Sequence, residues 1–226
     1  MANVILVAGT HHGGWYWESF AEKLRTFGHQ VFTPTLSGLD DSVLSDSKIN
    51  LDTHIQDILQ LIKDQKLESF SLVGWSYAGM VITGAADRTM EHVNSLIFLD
   101  ACVPNSGQSE WDLISENLKK LFTSSTRDGL NIDVPEVFLK FRPRLMPHPL
   151  ATKLQPVIFS EEKFNNIPKI YVHAQSGVMP GDPSVFSNGY KRALNELNWS
   201  AYSLPVGHDL VSEDPDSVLE IILNHI

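Results

Sequence analysis

The fold is decided by Leu72-Val73-Gly74-Trp75-Ser76-Tyr77-Ala78-Gly79, a short apolar run that leads into a serine flanked by small residues. Residues 70–73 predict a buried strand, and residues 76–88, which contain few helix breakers, predict a helix directly after it. At such a sharp turn the serine backbone is strained, and the residues two positions to either side must be small so that strand and helix can approach. Gly74 and Ala78 meet this requirement. The pattern therefore predicts a hydroxyl exposed at the tip of a strand–turn–helix.

Apolar runs alternate with helical patterns along most of the chain. Six runs predict buried strands, because they are short, rich in Val, Ile, Leu and Phe, and bounded by Gly, Pro or polar residues. The predicted strands are 3–8, 30–34, 70–73, 95–100, 169–174 and 200–205, and the predicted helices are 15–27, 51–66, 76–88, 185–197 and 214–226. This alternation predicts an α/β domain with a mostly parallel six-stranded sheet and helices on both faces.

Residues 104–167 interrupt this alternation. They contain no predicted buried strand, and they are too many for a plain connection in a compact domain. Apolar side chains such as Trp111, Phe122 and Phe138 need burial, which argues against a disordered loop. We therefore predict an inserted, mostly helical segment over the carboxyl edge of the sheet, which we call the cap. The chain, residues 1–226, is then a single domain with one insertion.

Length, charge and cysteine content restrict the class of protein. The 226 residues suit one domain with its own core, and a formal net charge of -10 argues against general affinity for nucleic acid or anionic membranes. Cys102 is the only cysteine, so no intramolecular disulfide can form, and its place after an apolar strand favours buried packing over catalysis. The apolar stretch 4–8 is too short for a signal sequence or a membrane span. We expect a soluble, cytoplasmic protein without nucleic-acid or membrane partners.

A serine hydroxyl becomes a nucleophile only when a base removes its proton. His208 follows the last predicted strand and precedes the final helix, where the fold that Ser76 predicts carries its base. The alternative is an incidental surface histidine. Two backbone N–H groups should stabilise the oxyanion: that of Tyr77, directly after the serine, and that of Thr10, in the glycine-rich loop after the first strand.

The adjacent histidines His11 and His12 raise the question of a metal site. Side chains that are neighbours in sequence rarely converge on one ion, and no Cys, His or carboxylate partner lies at metal-ligand spacing. We therefore predict no metal and no cofactor. His12 and, in the cap, Trp111 are candidate contacts for the substrate.

Four motifs together resemble small α/β-hydrolases of the hydroxynitrile lyase and plant methylesterase type. They are Leu6-Val7-Ala8-Gly9-Thr10-His11-His12-Gly13-Gly14-Trp15-Tyr16-Trp17, Gly74-Trp75-Ser76-Tyr77-Ala78-Gly79-Met80-Val81, Phe98-Leu99-Asp100-Ala101-Cys102-Val103-Pro104 and Gly207-His208-Asp209. The resemblance extends over nearly the whole chain, the cap included. It implies the α/β-hydrolase fold, a triad with a serine nucleophile, a small-molecule substrate and, as an expectation, a homodimer paired through the cap.

The resemblance leaves the acid of the triad open. Family members usually carry an aspartate shortly after the strand that corresponds to 169–174, but Ser176 or Gly177 stands there in this chain. Asp100 is one substitute, because some α/β-hydrolases carry the acid at the end of the strand after the serine helix, and Asp182 in the usual loop is the other. We favour Asp100, since a carboxylate at the end of so apolar a strand is costly without a polar partner. The alternative is that Asp100 only caps the following loop.

These residues predict a serine hydrolase that cleaves a small, largely apolar ester through an acyl-enzyme on Ser76. A lyase is one alternative, but the lyases that this chain resembles carry a threonine where Gly9 stands and a lysine where Asp209 stands. Cyanohydrin cleavage is therefore disfavoured. Cofactor-free dioxygenases of this fold, which use a histidine–acid pair, are a second alternative. A non-catalytic module that binds a small molecule is the third.

Overall fold

The structure, a computed structural model, describes residues 1–40, 48–176 and 184–226. In chain order its strands are β1 (Asn3–Val7), β2 (Gln30–Phe32), β3 (Phe70–Trp75), β4 (Val93–Leu99), β5 (Asn131–Ile132), β6 (His148–Pro149), β7 (Lys169–Ala174) and β8 (Trp199–Leu204). Six of them form one sheet in the order β2-β1-β3-β4-β7-β8, and each of its five pairings is parallel. This confirms the predicted parallel sheet.

Helices follow most of the strands and cover the sheet. They are α1 (Glu18–Thr26), α2 (Leu51–Asp64), α3 (Ala78–Arg88), α4 (Glu110–Leu113), α5 (Glu116–Ser124), α6 (Glu136–Leu139), α7 (Ala151–Leu154), α8 (Glu161–Asn166), α9 (Ser184–Asn195), α10 (Leu210–Glu213) and α11 (Pro215–Leu223). Within the described ranges, no helix combines the length and the apolar character that a membrane crossing requires.

Two hydrophobic clusters lie on opposite faces of the sheet. Successive side chains of a strand point to opposite faces, so that Leu72 of β3 belongs to one cluster and Val73 to the other. Ile55 of α2 and Ile82 of α3 pack in the first cluster, and Leu24 of α1 packs in the second. Burial of one such side chain stabilises the fold by about 1.5–3 kcal/mol. The two-sided covering explains why these strands are apolar along their whole length.

The predicted elements differ from the observed ones mainly at their ends. The helix predicted from Ser76 begins at Ala78, because Ser76 has a left-handed backbone conformation with φ of 60° and Tyr77 serves as the N-cap. The helix predicted over 214–226 begins at Pro215, with Asp214 as its N-cap, and the separate turn α10 precedes it.

The cap contains α4 to α8 together with β5 and β6. The expectation that it holds no buried strand is wrong, because β5 and β6 form a small antiparallel pair whose residues are all buried. Two-residue strands are too short to produce an alternating pattern in the sequence, so they left no signal. The cap packs on the loop after β1, where the Met146 N–H donates to the His11 carbonyl at 3.0 Å.

Candidate active site

Ser76 lies at the carboxyl end of β3, in the tight turn that leads into α3. Its carbonyl accepts hydrogen bonds from the N–H groups of Gly79, at 3.2 Å, and Cys102, at 3.0 Å, which hold the strained turn in place. A side chain at position 79 would overlap the Cys102 carbonyl, and a Cβ at position 74 would lie only 3.0 Å from the Ala78 backbone. The small residues that the sequence places around the serine are therefore required by close backbone approach.

Ser76, His208 and Asp100 come from the ends of three different strands and meet at one edge of the sheet. The Ser76 hydroxyl donates to Nε2 of His208 at 3.0 Å, and Nδ1–H of His208 donates to Oδ2 of Asp100 at 2.8 Å. Trp75 Nε1–H donates to the His208 carbonyl at 2.7 Å and so fixes the loop that carries the imidazole. The arrangement leaves Nε2 of His208 as an acceptor that faces the serine hydroxyl. An imidazole in this state can act as a general base.

Asp100 directly follows β4, has no exposed surface and has φ of 41°. Burial by itself raises the pKa of this carboxyl, but hydrogen bonds from His173 and His208 outweigh burial and hold the pKa below its ordinary value. Asp100 is thus an ionised carboxylate in contact with His208. Asp182, the other candidate acid, lies outside the described residues.

Tyr77 and Thr10 are the two candidate oxyanion donors. Tyr77 directly follows the serine. Thr10 lies in the loop after β1 and directly follows Gly9, which lies against Ser76. A Cβ at position 9 would lie 2.9 Å from the Ser76 Cβ. Across the described part of the chain, neither the Tyr77 N–H nor the Thr10 N–H donates to a protein acceptor. Both are available for a substrate oxygen.

A buried ammonium lies against this loop. Lys153 of α7 has no exposed side-chain surface, and its Nζ forms an ion pair with Oε2 of Glu110 at 2.7 Å. The same Nζ donates to Oγ1 of Thr10 at 2.6 Å and lies 3.8 Å from the ring centroid of Tyr77. The ammonium therefore contacts both residues whose N–H groups are candidate oxyanion donors.

His12 is buried beside the site, but both of its ring nitrogens already have protein partners. Nδ1–H donates to the Thr10 carbonyl at 2.7 Å, and Nε2 accepts from Arg142 at 3.1 Å. Burial lowers the pKa of His12 to about 4, so the ring is neutral near pH 7. These contacts favour support of the loop by His12 over a hydrogen bond from His12 to substrate.

Trp111, the other candidate substrate contact, lies in α4 and is half-buried. It lines an open surface cleft of about 460 Å³ together with Lys119, Lys120 and Thr123 of α5. No hydrogen bond or ring contact among the described residues joins Trp111 to the serine or to its histidine. Trp111 also packs against the hydrophobic cluster that contains Tyr77 and Phe186, and its role as a substrate contact stays a prediction.

The two adjacent histidines of the loop turn away from each other. His11 Nδ1–H donates to the Met146 carbonyl at 2.8 Å, and Nδ1 of the buried His148 accepts from the His11 N–H at 3.3 Å. His54 donates from Nε2 to the Ser37 carbonyl, which leaves Nδ1 to accept from the Tyr77 hydroxyl at 3.0 Å. In the ranges that are described, no three His, Cys, Asp or Glu side chains are grouped to hold a metal ion.

Several residues at the site were not found from the sequence. Arg142 of the cap pairs with Asp209, which also accepts from the Tyr16 hydroxyl at 2.6 Å. His173, near the end of β7, donates to Asp100, and Phe186 of α9 stacks on His208. His173 could have been found, because neighbouring parallel strands end at the same edge, but only if the strand order were known. The contacts of Arg142 and Lys153 depend on how the cap folds and leave no pattern.

The chain is similar in sequence to known proteins. A sequence model of the alpha/beta hydrolase family matches residues 4–221. A carbendazim hydrolyzing esterase from Nocardioides sp. (strain SG-4G) is 33% identical over an alignment 240 positions long, which covers 97% of this chain and 98% of that protein. Methylesterase 10 of Arabidopsis thaliana is 28% identical over 162 residues, which cover 70% of this chain and 55% of that protein.

A solved structure is similar over its full length. An extracellular alpha/beta-hydrolase from a Paenibacillus species superposes with a TM-score of 0.85, covers 100% of this chain and 99% of that chain, and is 22% identical in sequence. At this identity the likeness concerns the fold alone.

Proposed function

Because this chain belongs to the alpha/beta hydrolase family, we propose that it is a serine esterase that cleaves a small, largely apolar carboxylic ester. The observation that carries the proposal is the continuous relay from the Ser76 hydroxyl to His208, at 3.0 Å, and from His208 to Asp100, at 2.8 Å. The named esterase and methylesterase relatives support ester hydrolysis as the reaction class.

Acylation uses each group of the relay once. Oγ of Ser76 attacks the carbonyl carbon of the ester while Nε2 of His208 takes the hydroxyl proton. Asp100 stabilises the imidazolium that forms, and the N–H groups of Thr10 and Tyr77 donate to the tetrahedral oxyanion. The carbon–oxygen bond to the leaving group then breaks, and His208 delivers its proton to the departing alcohol. The acyl group stays on the serine.

Deacylation repeats these steps with water as the nucleophile. Nε2 of His208 takes a proton from water, and the resulting hydroxide attacks the acyl carbon. The second tetrahedral intermediate uses the same two N–H donors. When it collapses, His208 returns the proton to Oγ of Ser76 and the carboxylic acid leaves. The serine, the histidine and the carboxylate end in their starting states, so the cycle needs no cofactor.

Apolar rings around the base favour an apolar substrate. Phe186 stacks on the His208 imidazole, with ring centroids 4.5 Å apart. The ring centroid of Trp75 lies 5.2 Å from that of the same imidazole. An ester with an apolar acyl group or a small alkyl alcohol would bury its surface against these rings. A methyl ester has such a small alkyl alcohol, and a methylesterase is among the relatives.

Two contacts argue against lyase chemistry. A threonine at position 9 would place its Cβ against Ser76, where a Cβ would lie only 2.9 Å from the serine Cβ. Asp209, which stands where the lyases carry a lysine, is held by Tyr16 and Arg142 and is an ionised carboxylate. A carboxylate in the place of that lysine supplies no positive charge of its own to receive cyanide.

The proposal is tested with a short-chain p-nitrophenyl ester and a serine-directed phosphonate. We expect turnover that the phosphonate blocks, with the label mapped by mass spectrometry to Ser76. Ser76→Ala should lose at least about 10³-fold in kcat, while Ser124→Ala, which removes an exposed hydroxyl on α5, should match the wild type. Full turnover by Ser76→Ala, or a label at another residue, would contradict the proposal. Tight ligand binding without any turnover would favour the binding module.

A further inference from the structure

The Asp100 carboxylate is held by two histidines, of which the relay uses only one. His208 Nδ1–H donates to Oδ2 at 2.8 Å. His173 Nδ1–H donates to Oδ1 at 3.1 Å, and the Ala174 N–H donates to the same oxygen at 3.2 Å. Each carboxylate oxygen therefore has its own imidazole partner.

The sheet itself places His173 beside Asp100. Strands β4 and β7 are parallel neighbours, and their register pairs Leu99 with Val172. The next residue on each strand is Asp100 on one side and His173 on the other. Because the two strands end at the same edge, the His173 imidazole reaches the Asp100 carboxylate directly from its strand. No loop is needed to bring the two side chains together.

Helix α9 covers both imidazoles from one side. Phe186 stacks on His208 with centroids 4.5 Å apart and 26° between the ring planes. Tyr190 stacks on His173 with centroids 4.8 Å apart and 19° between the planes. Residues four apart lie on the same face of a helix, so one turn of α9 supplies both rings. Each of the two imidazoles thus donates to the Asp100 carboxylate and stacks on an aromatic ring of α9.

A carboxylate that orients a catalytic imidazole must stay ionised and must not rotate. A buried carboxylate with one oxygen unpaired is costly, and rotation of the group would break the contact with the base. The donors on Oδ1 prevent that rotation, because turning Asp100 would break three hydrogen bonds at once. Among the described residues, Tyr171, Tyr190 and Cys102 are further titratable groups near this pair, and the Tyr171 hydroxyl contacts the carbonyls of Ala101 and Phe186, both at 3.0 Å.

We propose that His173 is a positioning residue for the reaction: its Nδ1–H holds Asp100 in the orientation and the ionised state in which Asp100 can serve His208. This inference rests on the proposed esterase function, since it concerns the same relay. His173 acts through Asp100 and does not contact the ester.

Two substitutions separate the hydrogen bond from the packing of the ring. His173→Phe keeps a flat ring against Tyr190 but removes the donor. His173→Asn keeps an N–H donor near the position of Nδ1 but removes the ring. We expect His173→Phe to lower kcat by about 10-fold or more with KM within about twofold, and His173→Asn to retain most of the activity. His92→Phe, at an exposed histidine that contacts the Glu68 carbonyl, is the control and should match the wild type.

Loss of a positioning residue should change the pH profile of the reaction, whereas loss of a purely structural residue should leave that profile unchanged. Without the His173 donor the carboxylate becomes more basic and holds the His208 proton more strongly. The acid limb of the kcat/KM profile should therefore move to higher pH in His173→Phe and stay near the wild-type position in His173→Asn. An unchanged kcat and acid limb in His173→Phe would overturn the inference. Equal damage from both substitutions would also overturn it, since packing would then be the only role.

Proton NMR tests the same contact without turnover. The wild type should show two downfield imidazole N–H resonances, one for each histidine bound to the carboxylate. His173→Phe should lose one of them and keep the other. If the wild type cleaves no ester but shows both resonances, the esterase proposal fails while the two-histidine arrangement stands. If His173→Phe does not fold, His173→Leu takes its place in all three measurements. A wild-type spectrum with only one such resonance would overturn the inference.

Discussion

Oγ1 of Thr10 accepts a 2.6 Å hydrogen bond from the ammonium of Lys153, a side chain with no surface exposed to solvent. Thr10 belongs to the loop after β1, and Lys153 belongs to the cap. The contact therefore ties one of the two candidate oxyanion donors to an inserted segment far away in sequence. Because Lys153 also pairs with Glu110, the position of the loop depends on a buried ion pair inside the cap.

Removing the ammonium should destabilise the protein strongly. Lys153→Met leaves the Glu110 carboxylate buried without its cation, and loss of one partner of a buried pair costs about 3–5 kcal/mol. The exposed pair of Lys23 with Asp216 is the control, and Lys23→Met should change stability by less than about 1 kcal/mol. Urea unfolding at pH 7 measures both. Equal, small effects of the two substitutions would show that the buried pair contributes no more than a surface pair.

Thr10→Val keeps the shape of the side chain, and we expect it to lower the activity. It removes the acceptor for Lys153 and so frees the loop that carries the Thr10 N–H. Weaker support for one oxyanion donor should lower kcat by about 10- to 10²-fold, less than complete loss of a donor does. Thr10→Ser keeps the hydroxyl and should stay near the wild type. Steady-state kinetics on the p-nitrophenyl ester compare the two, and equal rates would exclude a role for this hydrogen bond.

Asp100→Asn should abolish most of the ester cleavage without loss of the fold. The amide cannot stabilise the His208 imidazolium and can favour the wrong tautomer, a change that costs about 10⁴-fold in serine enzymes with this relay. Circular dichroism checks the fold, and Asp216→Asn, at an exposed carboxylate, serves as the matched control. Retained activity in Asp100→Asn together with an inactive Asp182→Asn would assign the acid to Asp182 instead.

Gly9→Thr tests whether this site can accept the lyase residue. Because a Cβ at position 9 would lie 2.9 Å from the Ser76 Cβ and 3.1 Å from the Trp75 ring, the serine turn must shift. We expect esterase activity to fall by at least about 10²-fold, since small displacements of reacting groups are expensive. We expect no cyanohydrin cleavage in exchange. A variant that released cyanide from a cyanohydrin would contradict this reading of the site.

Acid should destabilise the protein through its buried histidines. Burial lowers the pKa of His11, His12 and His54 to about 4, against an ordinary value of 6.5. From about pH 6.5 down to about pH 4 the unfolded chain therefore binds protons that the folded chain does not, and the free energy of unfolding falls as the pH falls. A difference of one in pKa corresponds to about 1.4 kcal/mol, so each histidine accounts for at most about 3.5 kcal/mol.

Urea unfolding at several pH values checks this expectation. His54→Gln keeps polar contacts to Tyr77 and Ser37 but cannot titrate, so its stability should depend less steeply on pH than that of the wild type. His92→Gln, at an exposed position, should leave the slope unchanged. A wild-type free energy of unfolding that stays constant from pH 7 to pH 5 would contradict the expectation.

The sheet and the serine turn could be predicted because their signals are local. Apolar strands, Gly74 and Ala78 around Ser76, and Gly207 before His208 all record backbone constraints within a few residues. Strand order and register are not local. That is why Asp100 could only be favoured over Asp182, and why His173, one strand away from Asp100 in space and 73 residues away in sequence, was missed.

The contacts of the cap could not be predicted from the sequence. Its short helices and two-residue strands carry little periodicity, so the sequence predicts an insertion but not its contacts. Lys153 resembles any surface lysine in the sequence, yet it is completely buried. Trp111 lines a surface cleft with residues of α5, and its contact with substrate stays a prediction.

The hydrogen bonds from Lys153 to Thr10 and from Met146 to His11 join the cap to the loop after β1. A chimera whose insertion comes from a homologue without a lysine at position 153 would leave the Thr10 hydroxyl without this donor. We therefore expect an exchanged insertion to function only together with the matching loop.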